Sequence, residues 1–301
     1  MVKNIAASVR DRLLNLARST DDDFNQLLDR YTRERFLYRL SQSEIGNKYI
    51  LKGASVFQVW GGSPHRPTRD IDLLGFGSNN PQTVKQIFEE ICQQEYQDGI
   101  EFANINTEVL QATQKYEGVR LNIEGKLGTA KLFLQVDLGF GHVVTPPAEI
   151  YEIPSLLDMP SPSLRVYPPE TVVAEKLEAM VSRGLKNSRI KDYYDLLFLS
   201  KKRSFDGKLL TEAIRATFNQ RQTEMPAEVI PVGLTLEFIA FRPSRDIQWK
   251  KLFQQGTMDS QLNLSEAIAS IREFLLPPLQ AAATGSEFNQ KWTKDGGWQK
   301  E

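Results

Sequence analysis

The chain has 301 residues, 41% of them hydrophobic and 25% charged, with a formal net charge of −1. That composition fits one large globular domain or two smaller ones, and the balanced charge means that any nucleic-acid contact needs a local patch. A single cysteine, Cys92, excludes an intramolecular disulfide framework and any multi-cysteine zinc site. No apolar run reaches the roughly 18 residues of a membrane span, and no signal peptide is visible, so the expected location is cytoplasmic.

Residues 4–19 carry Ile5, Val9, Leu13, Leu14, Leu16 and Ala17 mainly on one helical face. Thr20-Asp21-Asp22-Asp23 reads as the cap of a second helix running to about Ser43, its carboxylates favourable at a helix N-terminus. Tyr49–Lys52 is a predicted strand, and Val56 to Trp60 a predicted helix. A loop rich in breakers, Gly61 to Pro67, leads to the strand Asp70-Ile71-Asp72-Leu73-Leu74. Residues 82–97 are predicted helical, with Cys92 in the apolar stripe as a core residue. Strands are expected at about 107–113, 118–124 and 131–138, the last two joined by a hairpin at Gly125-Lys126-Leu127-Gly128-Thr129.

Pro146, Pro147, Pro154, Pro160, Pro162, Pro168 and Pro169 crowd residues 143–170, which read as a boundary or wrapping segment. Helices follow at about 170–183, 189–201, 208–220, 245–254 and 262–276. The glycine-containing tail with Trp292 and Trp298 reads as an irregular arm. Pro-Ser-Arg-Asp-Ile at 243–247 echoes Pro-Thr-Arg-Asp-Ile at 67–71, but no second carboxylate follows it. It reads as a helix start capped by Ser244.

The chemistry concentrates in a few runs. Strand period two puts Asp70 and Asp72 on one face and Ile71 on the other. Two hard oxygen donors on one strand suit Mg²⁺, which binds through one or two carboxylates plus substrate phosphates. Gly53-Ala54-Ser55, between a strand and a helix, can turn backbone N–H groups toward an anion. Asp137 alternates with Val136 near a strand end and is the candidate third carboxylate of a two-metal site. Lys176 lies in a helix whose buried stripe is Val172, Val173, Leu177 and Met180, and can act as a point charge on a triphosphate. Residues 183–203 are strongly basic: either a solvated helix face or a surface neutralising phosphates. Tyr193 and Tyr194 there are either stacking platforms or core. Sequences typical of P-loop ATPases, α/β-hydrolases and zincins are absent.

Taken in order, these runs resemble the AbiEii-type nucleotidyltransferase toxin family of the DNA polymerase β-like superfamily. The resemblance spans nearly the whole chain. It rests on Leu51-Lys52-Gly53-Ala54-Ser55, Arg66-Pro67-Thr68-Arg69-Asp70-Ile71-Asp72, Val136-Asp137-Leu138-Gly139, Glu175-Lys176-Leu177-Glu178 and Ser188-Arg189-Ile190-Lys191-Asp192-Tyr193-Tyr194-Asp195. It implies an α+β fold: a nucleotidyltransferase mixed sheet with flanking helices over residues 1–165, then a helical C-terminal domain over 166–301 completing an NTP cleft. The implied reaction moves a nucleoside monophosphate from an NTP to an acceptor, tRNA first, and releases pyrophosphate. The implied setting is a bacterial toxin–antitoxin or phage-defence pair whose antitoxin carries a winged-helix DNA-binding domain.

By the same resemblance, Asp70 and Asp72 hold Mg²⁺, and Gly53, Ala54 and Ser55 meet phosphate. Thr68 supports the metal loop. Lys176, Arg189 and Lys191 meet the triphosphate, and Asp192 completes the last motif. Asp137 as third metal ligand, and as an aid in deprotonating the acceptor, is an inference from its strand position. Two departures stand out: the turn is Gly-Ala-Ser where the superfamily usually has Gly-Gly or Gly-Ser, and His142 stands where relatives often carry Asp. Three rival readings are an NTP-binding regulator without transfer activity, an interaction protein with incidental carboxylates, and an aminoglycoside-type nucleotidyltransferase.

Overall fold

The computed structural model describes residues 4–61, 65–113, 116–258, 262–294 and 296–300. The middle of the predicted loop at 61–67, residues 62–64, lies outside the described residues. The chain divides into two compact units. The first comprises Met1–Pro64, Thr68–Gly141 and Glu149–Val166, and the second His65–Pro67, His142–Ala148 and Tyr167–Glu301.

In the first unit, α1 (Ile5–Thr20) starts where the Asn4 side chain accepts from the Ala7 N–H at 3.0 Å, and α2 (Phe24–Gln42) where Asp23 accepts from Gln26 N–H. Val9, Leu13, Leu27, Leu28 and Tyr31 from these helices bury against Ile100, Leu127 and Leu132 of the sheet. β1 (Tyr49–Lys52), α3 (Val56–Gly61) and β2 (Asp70–Gly75) follow the predicted pattern. α4 (Pro81–Cys92) is shorter than predicted. Past it, Asp98 is buried and drawn to Arg39 at 2.6 and 3.1 Å, and Gly99 at φ +75° redirects the chain into the next strand. Cys92 is buried, which pushes its thiol up to about 12 and accords with a core role.

β3 (Ile100–Thr113), β4 (Tyr116–Leu127) and β5 (Ala130–Phe140) are longer than their sequence windows. Pairing in register carries β4 and β5 to a turn of only Gly128-Thr129, with Gly128 at φ +60°. The proline-rich stretch is no mere wrapping segment. It contains β6 (Glu149–Glu152) and β7 (Ser163–Val166), and β7 pairs parallel to β1. Every proline falls outside these two strands, so each strand keeps its backbone donors. The result is a seven-stranded mixed sheet, β3-β4-β5-β2-β1-β7-β6, with flanking helices, the expected α+β arrangement. β2–β5 and β1–β7 are its parallel pairs.

The second unit is mainly helical: α5 (Pro169–Arg183), α6 (Ile190–Lys202), α7 (Gly207–Arg221), α8 (Glu237–Phe241), α9 (Ser244–Gln255) and α10 (Leu264–Thr284). α10 does not stop before Pro277. It runs through Pro277 and Pro278 to Gly285, because Pro278, Leu279, Ala281 and Ala282 bury in the core and outweigh the lost backbone bonds. Ser244 is not a cap: α9 begins with Pro243 in the cap position and no side-chain bond to it. The echo's Arg245 is instead buried, donating to the carbonyls of Leu185, Asn187 and Phe238. Nor is the tail irregular. β8 (Phe205–Asp206), β9 (Gln290–Trp292) and β10 (Trp298–Lys300) form a three-stranded sheet. The indole N–H of Trp292 donates to Ser200 O at 2.7 Å, and that of Trp298 to Phe274 O at 3.1 Å.

Candidate active site

The carboxylates of the first unit are placed by strand register. β2 pairs antiparallel with β1, setting Lys52 opposite Asp72, and parallel with β5, setting Asp70 beside Gln135 and Asp72 beside Asp137. Asp70, Asp72 and Asp137 therefore share one face, while Ile71 and Val136 are fully buried on the other. Asp70 Oδ1 accepts from the Thr68 hydroxyl at 2.9 Å.

The turn Gly53–Ser55 is a single 3₁₀ turn joining β1 to α3, with Gly53 at φ +67°. A Cβ on Gly53 would stand 1.9 Å from Asp72 Oδ2. The turn and the carboxylate thus occupy one another's space, and only glycine fits in both conformation and volume. Gly53→Ala is expected to displace Asp72 and cut any activity that depends on it by more than tenfold, with a smaller effect on stability. Comparing turnover with the thermal midpoint checks this.

Asp137 differs from the other two carboxylates. Its oxygens accept from Arg120 Nε at 2.8 Å and a terminal Arg120 nitrogen at 2.9 Å, a bidentate pair across β4–β5. The Asp137 hydrogen bond is also the main reason the Arg120 guanidinium is held above its usual pKa. Among the described residues, no group of three or more His, Cys, Asp or Glu side chains is arranged to hold a metal ion. The Asp70/Asp72 pair nonetheless fits Mg²⁺ chemically: hard oxygens on one strand face beside a glycine turn where backbone can approach closely. Asp137 could join them only by exchanging Arg120 for metal.

The second unit builds a different cluster. Lys176 Nζ donates to Asp192 at 2.6 Å and to Asp195 at 2.8 Å. Arg66 grips both oxygens of Asp195, at 2.6 and 2.8 Å, and His65 Nε2 lies 2.7 Å from the same carboxylate. Asp192 and Asp195 meet Lys176 together because residues three apart share a helix face. Burial disfavours the Lys176 charge, but Asp192 and Asp195 outweigh it and raise its pKa. Burial likewise opposes ionisation of Asp195, yet Lys176 and Arg66 hold that carboxyl well below its usual range. For His65, burial wins over Asp195 and lowers the pKa. Asp192 Oδ2 is buried and has no hydrogen-bond partner among the described residues.

These shifts fix a pH dependence. Both folded-state values are depressed, so each group's stabilisation is present above its unfolded pKa and lost as pH falls toward the folded one. The His65 window opens below about pH 6.5, its ordinary value, and the Asp195 window below about 3.8. Denaturation midpoints measured from pH 7.5 to 5 should fall in the wild type and fall less in His65→Asn.

Nearby, His142 Nδ1 lies 3.0 Å from Glu175 Oε1, and Arg221 pairs with Glu178 and, at 3.4 Å, with Glu175. An aspartate at 142 would instead face Glu175 with like charge. Arg189 and Lys191 are exposed at the start of α6. Tyr193 and Tyr194 are fully buried, which rules out stacking on a base; Tyr193 donates instead to Gly233 O at 2.7 Å. Arg120, His65, Arg66 and Asp195 were not singled out as site residues by sequence reasoning. The three-residue spacing of Asp192 and Asp195 on one apolar-backed helix was the available signal.

No helix among the described residues is long and apolar enough to cross a membrane. A comparison with curated proteins gives no match. Among solved structures, JHP933 from Helicobacter pylori is 14% identical with a TM-score of 0.45, covering 83% of this chain and 87% of its own. A candidate nucleotidyltransferase from H. pylori is 13% identical with a TM-score of 0.44, covering 83% and 89%. Likeness at that level adds nothing to the assignment. The family described as "Nucleotidyl transferase AbiEii toxin, Type IV TA system" matches residues 35–283, which is most of the chain. The chain belongs to the AbiEii nucleotidyl transferase toxin family of type IV toxin–antitoxin systems.

Proposed function

We propose that this AbiEii-family chain transfers a nucleoside monophosphate from an NTP to the end of an RNA acceptor, tRNA foremost, in a Mg²⁺-dependent reaction. The observation that carries this reading is the seating of Asp72 against the Gly53 turn, beside Asp70 on the same strand face. An acceptor hydroxyl attacks the α-phosphorus, the α–β phosphoanhydride bond breaks, and pyrophosphate leaves. Bound Mg²⁺ would supply charge neutralisation on the phosphates. Asp70 and Asp72 would hold it, and Thr68 keeps Asp70 oriented. Backbone of Gly53, Ala54 and Ser55 meets phosphate oxygens. Asp137 would take the hydroxyl proton or complete the donor set, which requires its pairing with Arg120 to open.

In the second unit, exposed Arg189 and Lys191 supply cationic charge for phosphates. Lys176 is already neutralised by Asp192 and Asp195, so its part in triphosphate binding requires that pairing to rearrange. The partner is an antitoxin with a winged-helix DNA-binding domain, the setting phage defence, and the location cytoplasmic.

The test is incubation of each of the four α-³²P NTPs with Mg²⁺, total bacterial tRNA and either wild type or Asp70→Ala. Label on RNA from a particular NTP, absent with Asp70→Ala, is the expected result. Intact NTP binding with no labelled RNA would move the acceptor to a protein or small molecule.

A further inference from the structure

Lys52 closes β1, and its backbone is still extended there, at φ −134° and ψ −167°. Strand alternation therefore turns its side chain away from that of Leu51, which is fully buried opposite Leu73. Tyr49 shares the Leu51 face and meets Phe88 of α4 edge to face there. The antiparallel pairing of β1 with β2 sets Lys52 directly opposite Asp72, and residues directly opposite share a face. Lys52 thus belongs to the carboxylate face.

One rung of the sheet runs Lys52, Asp72, Asp137, Arg120, from β1 across β2 and β5 to β4. Its two cations differ. Arg120 is engaged by both oxygens of Asp137. Lys52 is half-buried, and its ammonium forms no ion pair or hydrogen bond among the described residues. A fixed cation without a partner, next to the Gly53–Ser55 turn, suits a phosphate.

The order of the rung says which phosphate. Nucleotidyl transfer is an in-line displacement, so the attacking and leaving oxygens lie on opposite sides of the α-phosphorus. Asp137, on the acceptor side in the proposed mechanism, flanks Asp72 on one side and Lys52 flanks it on the other, each about 5 Å away by strand spacing. The turn that would meet phosphate continues directly from Lys52. As the α–β phosphoanhydride breaks, its electron pair stays on an oxygen of the β-phosphate, and an ammonium held there stabilises that charge.

We propose that Lys52 is the leaving-group residue, whose ammonium binds the β-phosphate of the NTP and then the departing pyrophosphate. This rests on the nucleotidyl-transfer reading, which sets the α-phosphorus beside Asp70 and Asp72.

The experiment is isothermal titration calorimetry in Mg²⁺, with inorganic pyrophosphate and, separately, each nucleoside monophosphate. The proteins are wild type, Lys52→Met, Lys52→Gln, Lys52→Arg and Lys131→Met. Lys131 is exposed at the hairpin end of β5 and controls for the loss of one positive charge. Lys52→Met and Lys52→Gln should bind pyrophosphate about 10- to 150-fold more weakly, as for one lost charge-assisted hydrogen bond. Lys52→Arg should recover most of that affinity, Lys131→Met should match the wild type, and monophosphate affinity should be unchanged in all. Folded Lys52→Met and Lys52→Gln proteins that bind pyrophosphate as tightly as the wild type, or more tightly, would overturn the assignment. That is the result if Lys52 only offsets the charge of Asp70 and Asp72. Equal weakening of monophosphate binding would overturn it too, as would a wild type that does not bind pyrophosphate. Pyrophosphate binding that depends on Lys52, with no acceptor labelled by any α-³²P NTP, supports Lys52 as a phosphate ligand and overturns the transfer reading. Labelled RNA with pyrophosphate binding independent of Lys52 overturns the Lys52 assignment alone.

Discussion

Asp72→Asn should lower nucleotidyl transfer by about 10³-fold while leaving the fold intact. The amide keeps the volume that fills the space beside Gly53, so packing at the turn survives. What is lost is the negative charge of a hard oxygen donor, and on the proposed Mg²⁺-dependent reading several kcal/mol of transition-state stabilisation would be lost with it. Measuring kcat together with the far-UV circular dichroism spectrum separates this from unfolding. Gly53→Ala should mimic the loss from the opposite side, since there the charge is kept and its position is not.

The second large effect is on stability. Asp195→Ala removes the carboxylate that neutralises Lys176 and Arg66 together, and the Asp195 side chain is only 1% exposed. Lys176 would then keep Asp192, and Arg66 would lose the carboxylate it grips with two hydrogen bonds. Loss of one partner of a buried pair costs about 3–5 kcal/mol, because the remaining charge stays desolvated. Trp249, Trp292 and Trp298 all lie in the second unit, so tryptophan fluorescence during urea unfolding reports chiefly on it. A midpoint near the wild type's would mean the cluster is hydrated and replaceable. The double variant Lys176→Met/Asp195→Leu should recover part of the loss, because it removes charges of both signs.

How much of this was legible beforehand differs from place to place for physical reasons. Asp70-Ile71-Asp72 and the Leu132-to-Asp137 alternation were readable because period two is a local property of a strand. The helices of the second unit were readable from apolar stripes. The Arg120–Asp137 pair was not, since it depends on hairpin register, which the tight turn at Gly128-Thr129 fixes. β6 and β7 were hidden by prolines that flank strands rather than interrupt them. The tail's strands depend on Trp292 and Trp298 finding partners at Ser200 and Phe274. His65 and Arg66 reach Asp195 across about 130 residues of sequence, a contact no local pattern encodes. Pro277 and Pro278 show propensity yielding to burial.

On the proposed reading, an NTP gives up its nucleoside monophosphate at the Asp70/Asp72 face of β2. The measurement that bears on it most directly is pyrophosphate release coupled to RNA labelling, followed for wild type, Asp70→Ala and Asp72→Asn, with Mg²⁺ and with excess EDTA. Stoichiometric label and pyrophosphate are expected for the wild type in Mg²⁺, with both reduced about 10³-fold or more in the variants and abolished in EDTA. Folded Asp70→Ala and Asp72→Asn proteins that label RNA at the wild-type rate would contradict it.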